Sequence, residues 1–271
     1  MINKYANYDN SVAFEYDDSQ FRLLDESGKL RYIGSETDGS NIQVPEGIVD
    51  GSALFKNTDI KSAPKLPDSL RDMTNMYSGC QNMTDPGFIP EGVTNIDGAY
   101  AYTGIRETPH MPDSINSANF AFDHCEDLER CDNFPQNMTH AVCMFYGDKS
   151  LGELPERLPD SLLYMNGFAA DCPNLQRAPI TGPNVKDMSQ AYASCVRLEN
   201  MPEVPEGAHA EDVVSDCYTL EHNTEDKKDS LSDAFQSADK QTDHKMDRDA
   251  AANALTDGIT FDSDVEKQIG E

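Results

Sequence analysis

Seven cysteines and six histidines are the residues of this 271-residue chain with the widest chemical repertoire. Thiolate and imidazole ligands suit zinc, and Cys125, Cys131, His140 and Cys143 are the candidate set closest together in sequence. Their spacing argues against it, because Cys125-x5-Cys131 and His140-x2-Cys143 lack the paired short loops of a zinc knuckle. Cys80, Cys125, Cys172, Cys195 and Cys217 instead recur at one point of a period, where a small buried side chain is what packing asks for. Carboxylate pairs carry no signal, since 49 Asp and Glu residues supply many by chance. Neither a phosphate-cradling glycine loop, a His-Glu-x-x-His helix nor a nucleophile elbow occurs. The acidic turns do not follow the calcium-loop spacing. Asn82-Met83-Thr84 and Asn137-Met138-Thr139 match glycan sequons but fall inside the repeating pattern. The expectation is no catalytic residue, no metal and no cofactor.

The elements that position these residues are set by the period. Leu66-Pro67-Asp68-Ser69-Leu70 returns as Met111-Pro112-Asp113-Ser114-Ile115 and as Leu158-Pro159-Asp160-Ser161-Leu162. Units begin at Pro45, Pro67, Pro90, Pro112, Pro135, Pro159, Gly182 and Pro205, about 22 to 24 residues apart, a spacing typical of stacked supersecondary units. An apolar residue precedes most of these prolines, and a second apolar column follows at Ile48, Leu70, Val93, Ile115, Met138, Leu162, Val185 and Ala208. A Met or Ala followed by an aromatic comes next, as in Met76-Tyr77, Ala99-Tyr100, Ala121-Phe122, Met144-Phe145 and Ala191-Tyr192. Thr58, Cys80, Thr103, Cys125, Asp148, Cys172, Cys195 and Cys217 close that turn, and Ile60, Met83, Ile105, Leu128, Leu151, Leu175, Leu198 and Leu220 start the run to the next proline.

This order (Pro-[Asp/Glu]-[Ser/Gly]-apolar, Ala/Met-Phe/Tyr, Cys-x-x-Leu) resembles the BspA-like subclass of leucine-rich repeats over about two thirds of the chain. The resemblance implies a curved, right-handed solenoid of about eight units with short parallel strands on a concave face, used for binding and without catalytic residues. Three segments are expected. Residues 1–43 form an N-terminal cap with a hairpin of Phe21–Leu24 and Leu30–Ile33, residues 44–225 the solenoid, and residues 226–271 an acidic tail. Leu231, Ala234, Phe235 and Ala238 in that tail have helical spacing, in a segment otherwise too polar for a stable core. Side chains between the Leu and Pro columns point outward and are the candidate partner-binding residues: Arg106, Glu107, His110, Glu129, Arg130, Asp132, Glu153, Glu156, Arg157, Gln176, Arg177, Glu199, Asn200 and Glu203.

A net charge of -28 repels nucleic-acid phosphate and anionic membranes, so neither is an expected partner. No apolar run is long enough to span a bilayer, and Met1-Ile2-Asn3-Lys4 lacks the apolar core of a secretory signal, so a cytoplasmic location with free thiols is expected. These observations together predict a non-enzymatic protein-binding solenoid whose partner could be basic. Two alternatives stand beside it: an acidic mimic of nucleic acid that inhibits a basic nucleic-acid-binding protein, and a cell-surface adhesin like exported members of the resembled family.

Overall fold

Leu66-Pro67-Asp68-Ser69-Leu70 shows how one unit is built in the computed structural model, which describes residues 1–6, 13–24 and 28–223. The Leu70 N–H donates to the Pro67 carbonyl at 3.1 Å, closing a tight turn, and the same bond joins Pro90 to Val93, Pro112 to Ile115, Pro135 to Met138 and Pro159 to Leu162. Leu66 and Leu70, the ends of the phrase, are buried. The serine at its centre does more than favour a turn. Ser69 Oγ donates to the Ile48 carbonyl one coil back at 2.7 Å. Ser114 does so to Val93 at 2.7 Å and Ser161 to Met138 at 2.6 Å. Two residues past the buried Leu70, Asp72 accepts the Thr74 N–H at 2.8 Å, an Asx turn that leads into the aromatic step.

The aromatic step holds the stack together through its backbone. Gly51, Ala53, Phe55 and Asn57 donate their N–H groups to the carbonyls of Asp72, Thr74, Met76 and Ser78 in the next coil, at 2.8–2.9 Å. The intervening Leu54, Lys56 and Thr58 donate locally to Gly51, Ala53 and Phe55. Every N–H of this buried turn therefore has an acceptor, as a water-free interior requires. The path needs paired left-handed residues: Ala53 and Asn57, Asn75 and Gly79, Gly98 and Tyr102, Phe120 and His124, and so on to Asp212 and Asp216 all have positive φ. Between the residues of each pair an aromatic ring points inward, except in the last coil, where Val213 and Val214 take its place. Phe55, Tyr77, Tyr100, Phe122 and Phe145 stack one above another with centroids 5.4–5.5 Å apart.

That column of rings changes at one place for a reason visible in the sequence. Phe168-Ala169 inverts the Met/Ala-aromatic order. Phe145 N–H donates to the Phe168 carbonyl where Phe122 N–H donates to that of Met144, so Phe168 holds the Met position and Ala169 the ring position. Phe168 consequently meets Phe145 edge-on at 89° and Tyr192 at 77°, and Phe134 approaches it from the side at 6.0 Å.

Four short strands precede the coils. β1 (Ile2–Ala6) pairs antiparallel with β2 (Ala13–Asp17), and β3 (Phe21–Leu24) with β4 (Lys29–Tyr32). In β3 and β4, Phe21, Leu30 and Tyr32 are buried while Arg22 faces out, an alternation of the kind a half-buried strand requires. Tyr32 carries the ring column into the first coil: its N–H donates to Leu54 at 2.7 Å and its ring lies 5.2 Å from that of Phe55. The β1–β2 pair, with Phe14 and Tyr16 buried, has no counterpart in the sequence expectations. Neither does α1 (Tyr218–Asn223), the single turn of helix that closes the last coil. The tail expected at 226–271, with the helical spacing of Leu231, Ala234, Phe235 and Ala238, lies outside the described residues. No helix among the described residues is long and apolar enough to cross a membrane.

Where short parallel strands were expected, the coils pair instead through parallel bridges of single residues, in two columns. One runs unbroken through Asp50, Asp72, Asn95, Ser117, His140, Tyr164, Asp187 and His209, and the other lies among the candidate binding residues. The strands stay short because a proline turn precedes the first bridge and an Asx or aromatic turn follows it, leaving little extended chain.

The ring column makes a direct prediction. Tyr77 and Tyr192 are buried with hydroxyls that find no partner, whereas Tyr100 OH donates to the Pro86 carbonyl at 3.3 Å. Tyr77→Phe and Tyr192→Phe should each stabilise the fold by about 1 kcal/mol, and Tyr100→Phe should be neutral or destabilising, in urea unfolding of the three variants.

Candidate partner-binding face

The second bridge column is built by the residues that follow the Leu column. Ile105 and Leu128 turn inward, so Arg106 and Glu107, then Glu129 and Arg130, lie at the surface on successive coils. Ala63 N–H donates to Asp85 and Cys131 N–H to Glu153, while Glu129 N–H and Gly152 N–H donate back to Arg106 and Glu129. The column is interrupted after Asp85 and after Glu153. In each place proline occupies the donor position or the one beside it, Pro86 next to Asp85 and Pro155 beyond Leu154, and proline has no N–H to give. Pairing resumes further along the coil, with Arg157 bridged to Ile180.

All fourteen candidate side chains are solvent-exposed. The structure brings part of them together. Arg130 bonds Glu107 of the preceding coil at 2.5 Å and lies 3.4 Å from Asp132, Arg106 lies 3.6 Å from Glu129, and Arg157 bonds Asp160 at 2.7 Å. Exposed pairs of this kind contribute little to stability, about 0–1 kcal/mol, so they orient side chains more than they hold coils. Asn200 is committed to the scaffold. It accepts the Ala178 N–H at 2.9 Å and returns its amide to the Ala178 carbonyl at 3.1 Å, as Asn133 does with Met111. His110, Gln176, Arg177, Glu199 and Glu203 form no ion pair among the described residues, leaving Arg177 a cation available to a partner.

The cysteines do more than fill space. Cys80, Cys125 and Cys172 donate their thiols to the carbonyls of Phe55, Tyr100 and Phe145 at 3.0 Å, Cys195 to Ala169 at 3.1 Å and Cys217 to Tyr192 at 3.2 Å. Thr58 and Thr103 donate to those same Phe55 and Tyr100 carbonyls from their own coil. Cys125, Cys131, His140 and Cys143 are directed to separate partners (Tyr100, Asn133, Thr139 and Asn166). Among the described residues, no group of three or more His, Cys, Asp or Glu is placed to hold a metal ion.

One cluster escaped sequence reasoning. Asp123 occupies a buried position that is Ser78, Ala101, Ala170 or Ala193 in other coils. His124 Nδ1 lies 3.0 Å from its carboxylate, and the imidazole lies between Tyr102 at 4.9 Å and Tyr146 at 5.3 Å, over Gly147, where a Cβ would crowd the ring. The hydrogen bond to Asp123 raises the His124 pKa against partial burial, with Glu126 also raising and Lys149 lowering it. Burial raises that of Asp123 despite His124 and the Tyr102 hydroxyl. Tyr102 itself is pushed up to about 12, by burial first and then by Asp123. In the neighbouring coil Asp148 replaces the usual Cys or Thr. It is buried, accepts the Cys125 N–H at 2.7 Å through Oδ1, and leaves Oδ2 without a partner. Burial drives its pKa well above the carboxylate range. The signal that could have found this cluster is an acidic residue in two columns where most coils hold a small one.

Both raised groups act in the same direction on stability. A carboxyl with a raised folded-state pKa favours the fold while protonated, and its contribution is lost as pH climbs through that raised value. A raised imidazole likewise contributes below its unfolded pKa and loses that contribution as pH rises through its folded one. Asp148→Asn, which keeps the acceptor for Cys125, should raise Tm at about pH 8, change it little at about pH 4, and flatten the slope between them. Thermal unfolding across that range checks it.

No protein-family model and no curated protein matches the sequence. Among solved structures, the chain is similar to a leucine-rich repeat protein from Bacteroides ovatus ATCC 8483. The TM-score is 0.52 at 23% identity, over 73% of this chain and 55% of that one. It also aligns with a leucine-rich repeat protein of T. pallidum at a TM-score of 0.48 and 20% identity, over 83% of this chain and 94% of that one. The fold is thus a leucine-rich-repeat solenoid, and the chain spans 55% of the length of the Bacteroides protein.

Proposed function

We propose that this leucine-rich-repeat chain is a non-enzymatic, cytoplasmic binding module that recognises a protein partner through the outward side chains of its second bridge column. One observation carries the reading. Over four successive coils the exposed residue two places past the Leu column changes sign, Glu107, Arg130, Glu153 and Arg177, with the first three joined by the bridges. The inward positions follow one packing rule in most units, so partner selectivity is left to the outward ones. Arg106, Arg130 and Arg157 are held in place by Glu129, Glu107 and Asp160, which lowers the ordering cost of engaging a partner.

The test uses a partner captured from the source cell and then purified. Arg177→Glu should weaken its binding about tenfold or more while leaving Tm unchanged, because no ion pair of the fold is lost. Arg130→Glu should weaken binding as well, with a loss in Tm below about 1 kcal/mol equivalent. Calorimetric titration of both variants decides. Unaltered affinity in both removes this face from recognition.

The net charge of -28 favours a second reading, in which the chain occupies a basic channel in place of nucleic acid. Binding would then fall steeply with salt and compete with DNA or RNA for the same partner.

A further inference from the structure

The last coil breaks the burial rule that every earlier coil obeys. The residue before the turn is buried at Val44, Leu66, Ile89, Met111, Phe134, Leu158 and Thr181, yet its equivalent Val204 is 48% exposed. Met201 at 37% and Ile180 at 40% lie on the same flank, and on the other flank Val196 and Tyr218 are exposed side by side, joined by the Thr219 N–H to the Val196 carbonyl at 3.1 Å. Between residues 44 and 223 the other exposed large apolar side chains are Phe88 and Tyr102. Apolar exposure in the solenoid is therefore concentrated at its C-terminal end, where a protein-interaction site is expected to show it.

The backbone is open at the same place. Met188, Gln190, Tyr192 and Ser194 donate N–H groups forward to His209, Glu211, Val213 and Ser215. The corresponding Ala210, Asp212, Val214 and Asp216 of the last coil donate to no acceptor among the described residues. The end is a row of alternate donors, an edge to which an extended segment can add by offering its carbonyls.

Charge selects the occupant. Glu199, Glu203, Glu206, Glu211, Asp212 and Asp216 are exposed along the same last stretch of chain and form no ion pair among the described residues, while the one arginine there, Arg197, bonds Asn174. A second copy of the chain carries -28, and residues 224–271 contain 13 Asp and Glu against 6 Lys and Arg, so both are repelled by this rim. The geometry points to a partner segment of opposite character: an extended, cationic stretch of another protein that pairs with the open N–H row, sets apolar side chains on Val204 and Met201, and directs Lys or Arg to Glu203, Glu206 and Glu211. This inference rests on the protein-binding reading and adds a contact at the C-terminal end of the coils.

A fluorescent peptide of alternating Lys and Leu, with a Glu-Leu counterpart as control, tests it on the full chain. The Lys-Leu peptide should bind and the Glu-Leu peptide should not. Binding should protect the amides of residues 210–216 from hydrogen exchange. Val204→Asp with Met201→Asp, and separately Glu203→Lys with Glu206→Lys and Glu211→Lys, should each weaken binding about tenfold or more. All five positions are exposed or at the rim, so circular dichroism should show the fold intact. The proposal is overturned if the apolar variant binds with unchanged affinity, which means attraction to net charge alone. It is also overturned if the free chain self-associates in sedimentation and Val204→Asp abolishes that, which makes a second copy the occupant. Protection of 210–216 already present in the free chain and released by Val204→Asp makes its own 224–271 segment the occupant. Peptide binding that depends on Arg130 and Arg177 but not on Val204 ends the inference while leaving the protein-binding reading in place.

Discussion

Backbone N–H groups that point along the stack and must find a carbonyl in the next coil constrain everything else in this molecule. Meeting that demand takes two left-handed residues in each coil, and many of them, such as Ala53, Phe120, Cys143 and Gln190, are not glycine. Such a conformation costs about 1–2 kcal/mol where a Cβ is present, and it persists because the coil-to-coil bonds over-determine it. The same geometry turns one side chain inward per coil and sets the distance at which rings from successive coils meet. It also leaves a carbonyl at the ring position with a free lone pair. Threonine and cysteine in the closing column satisfy it, from the same coil and from the next respectively. Backbone pairing, ring stacking and the thiol column are three consequences of one path.

Much of this was legible as periodicity, and the parts that were not have physical causes. Spacing alone located the turns after Pro67, Pro112 and Pro159, because a proline followed by two polar residues and a buried one has few other conformations. Spacing could not show that Ser69, Ser114 and Ser161 clip each coil to the one before, since the acceptor is about 21 to 23 residues away in sequence and adjacent only once coils stack. Cysteine read as a small apolar filler because a thiol is a weak donor, and its acceptor belongs to another coil. The inverted Phe168-Ala169 was legible in principle, by counting back from Cys172, and it predicts the edge-on rings. The alternation Ala13-Phe14-Glu15-Tyr16-Asp17 was also present, but five residues beside a polar stretch are a weak signal. Outward exposure of the candidate face followed from the pattern. The breaks in its pairing follow from Pro86 and Pro155, whose effect depends on which N–H groups the stack uses.

Residues that violate the column rules are informative because each needs local compensation. Asp123 stands where small residues belong and is compensated by an imidazole and a phenol from the adjacent coil. Asp148 stands where a hydroxyl or thiol belongs and is compensated at one oxygen only. Burial penalises its charge and one backbone N–H does not offset that penalty, so its pKa is raised well above the ordinary carboxylate value. Acidity and stability are reconciled by separating them in space, with most carboxylates exposed and the buried Asp123 and Asp148 each given a hydrogen-bond partner.

The ends of a repeat array are where its rule stops deciding. At the N-terminal end, β3 and β4 supply Phe21 and Tyr32 to the ring column, so the first coil meets side chains of its own chain. At the other end, α1 follows the path of the coil, and the apolar flank of Val204 and Met201 remains in solvent. An interior coil has both faces occupied, so substitution there alters stability first. Among the described residues the terminal coil has a neighbouring coil on one face only, so its side chains can vary at small cost to the fold, and what they display is a mixture that neither solubility nor packing requires. Solubility alone would remove the exposed Val204, Met201 and Tyr218, and packing alone would remove the carboxylates beside them that form no ion pair among the described residues. The proposed partner contact supplies a reason for both, since an interface joins apolar anchors to a charged rim.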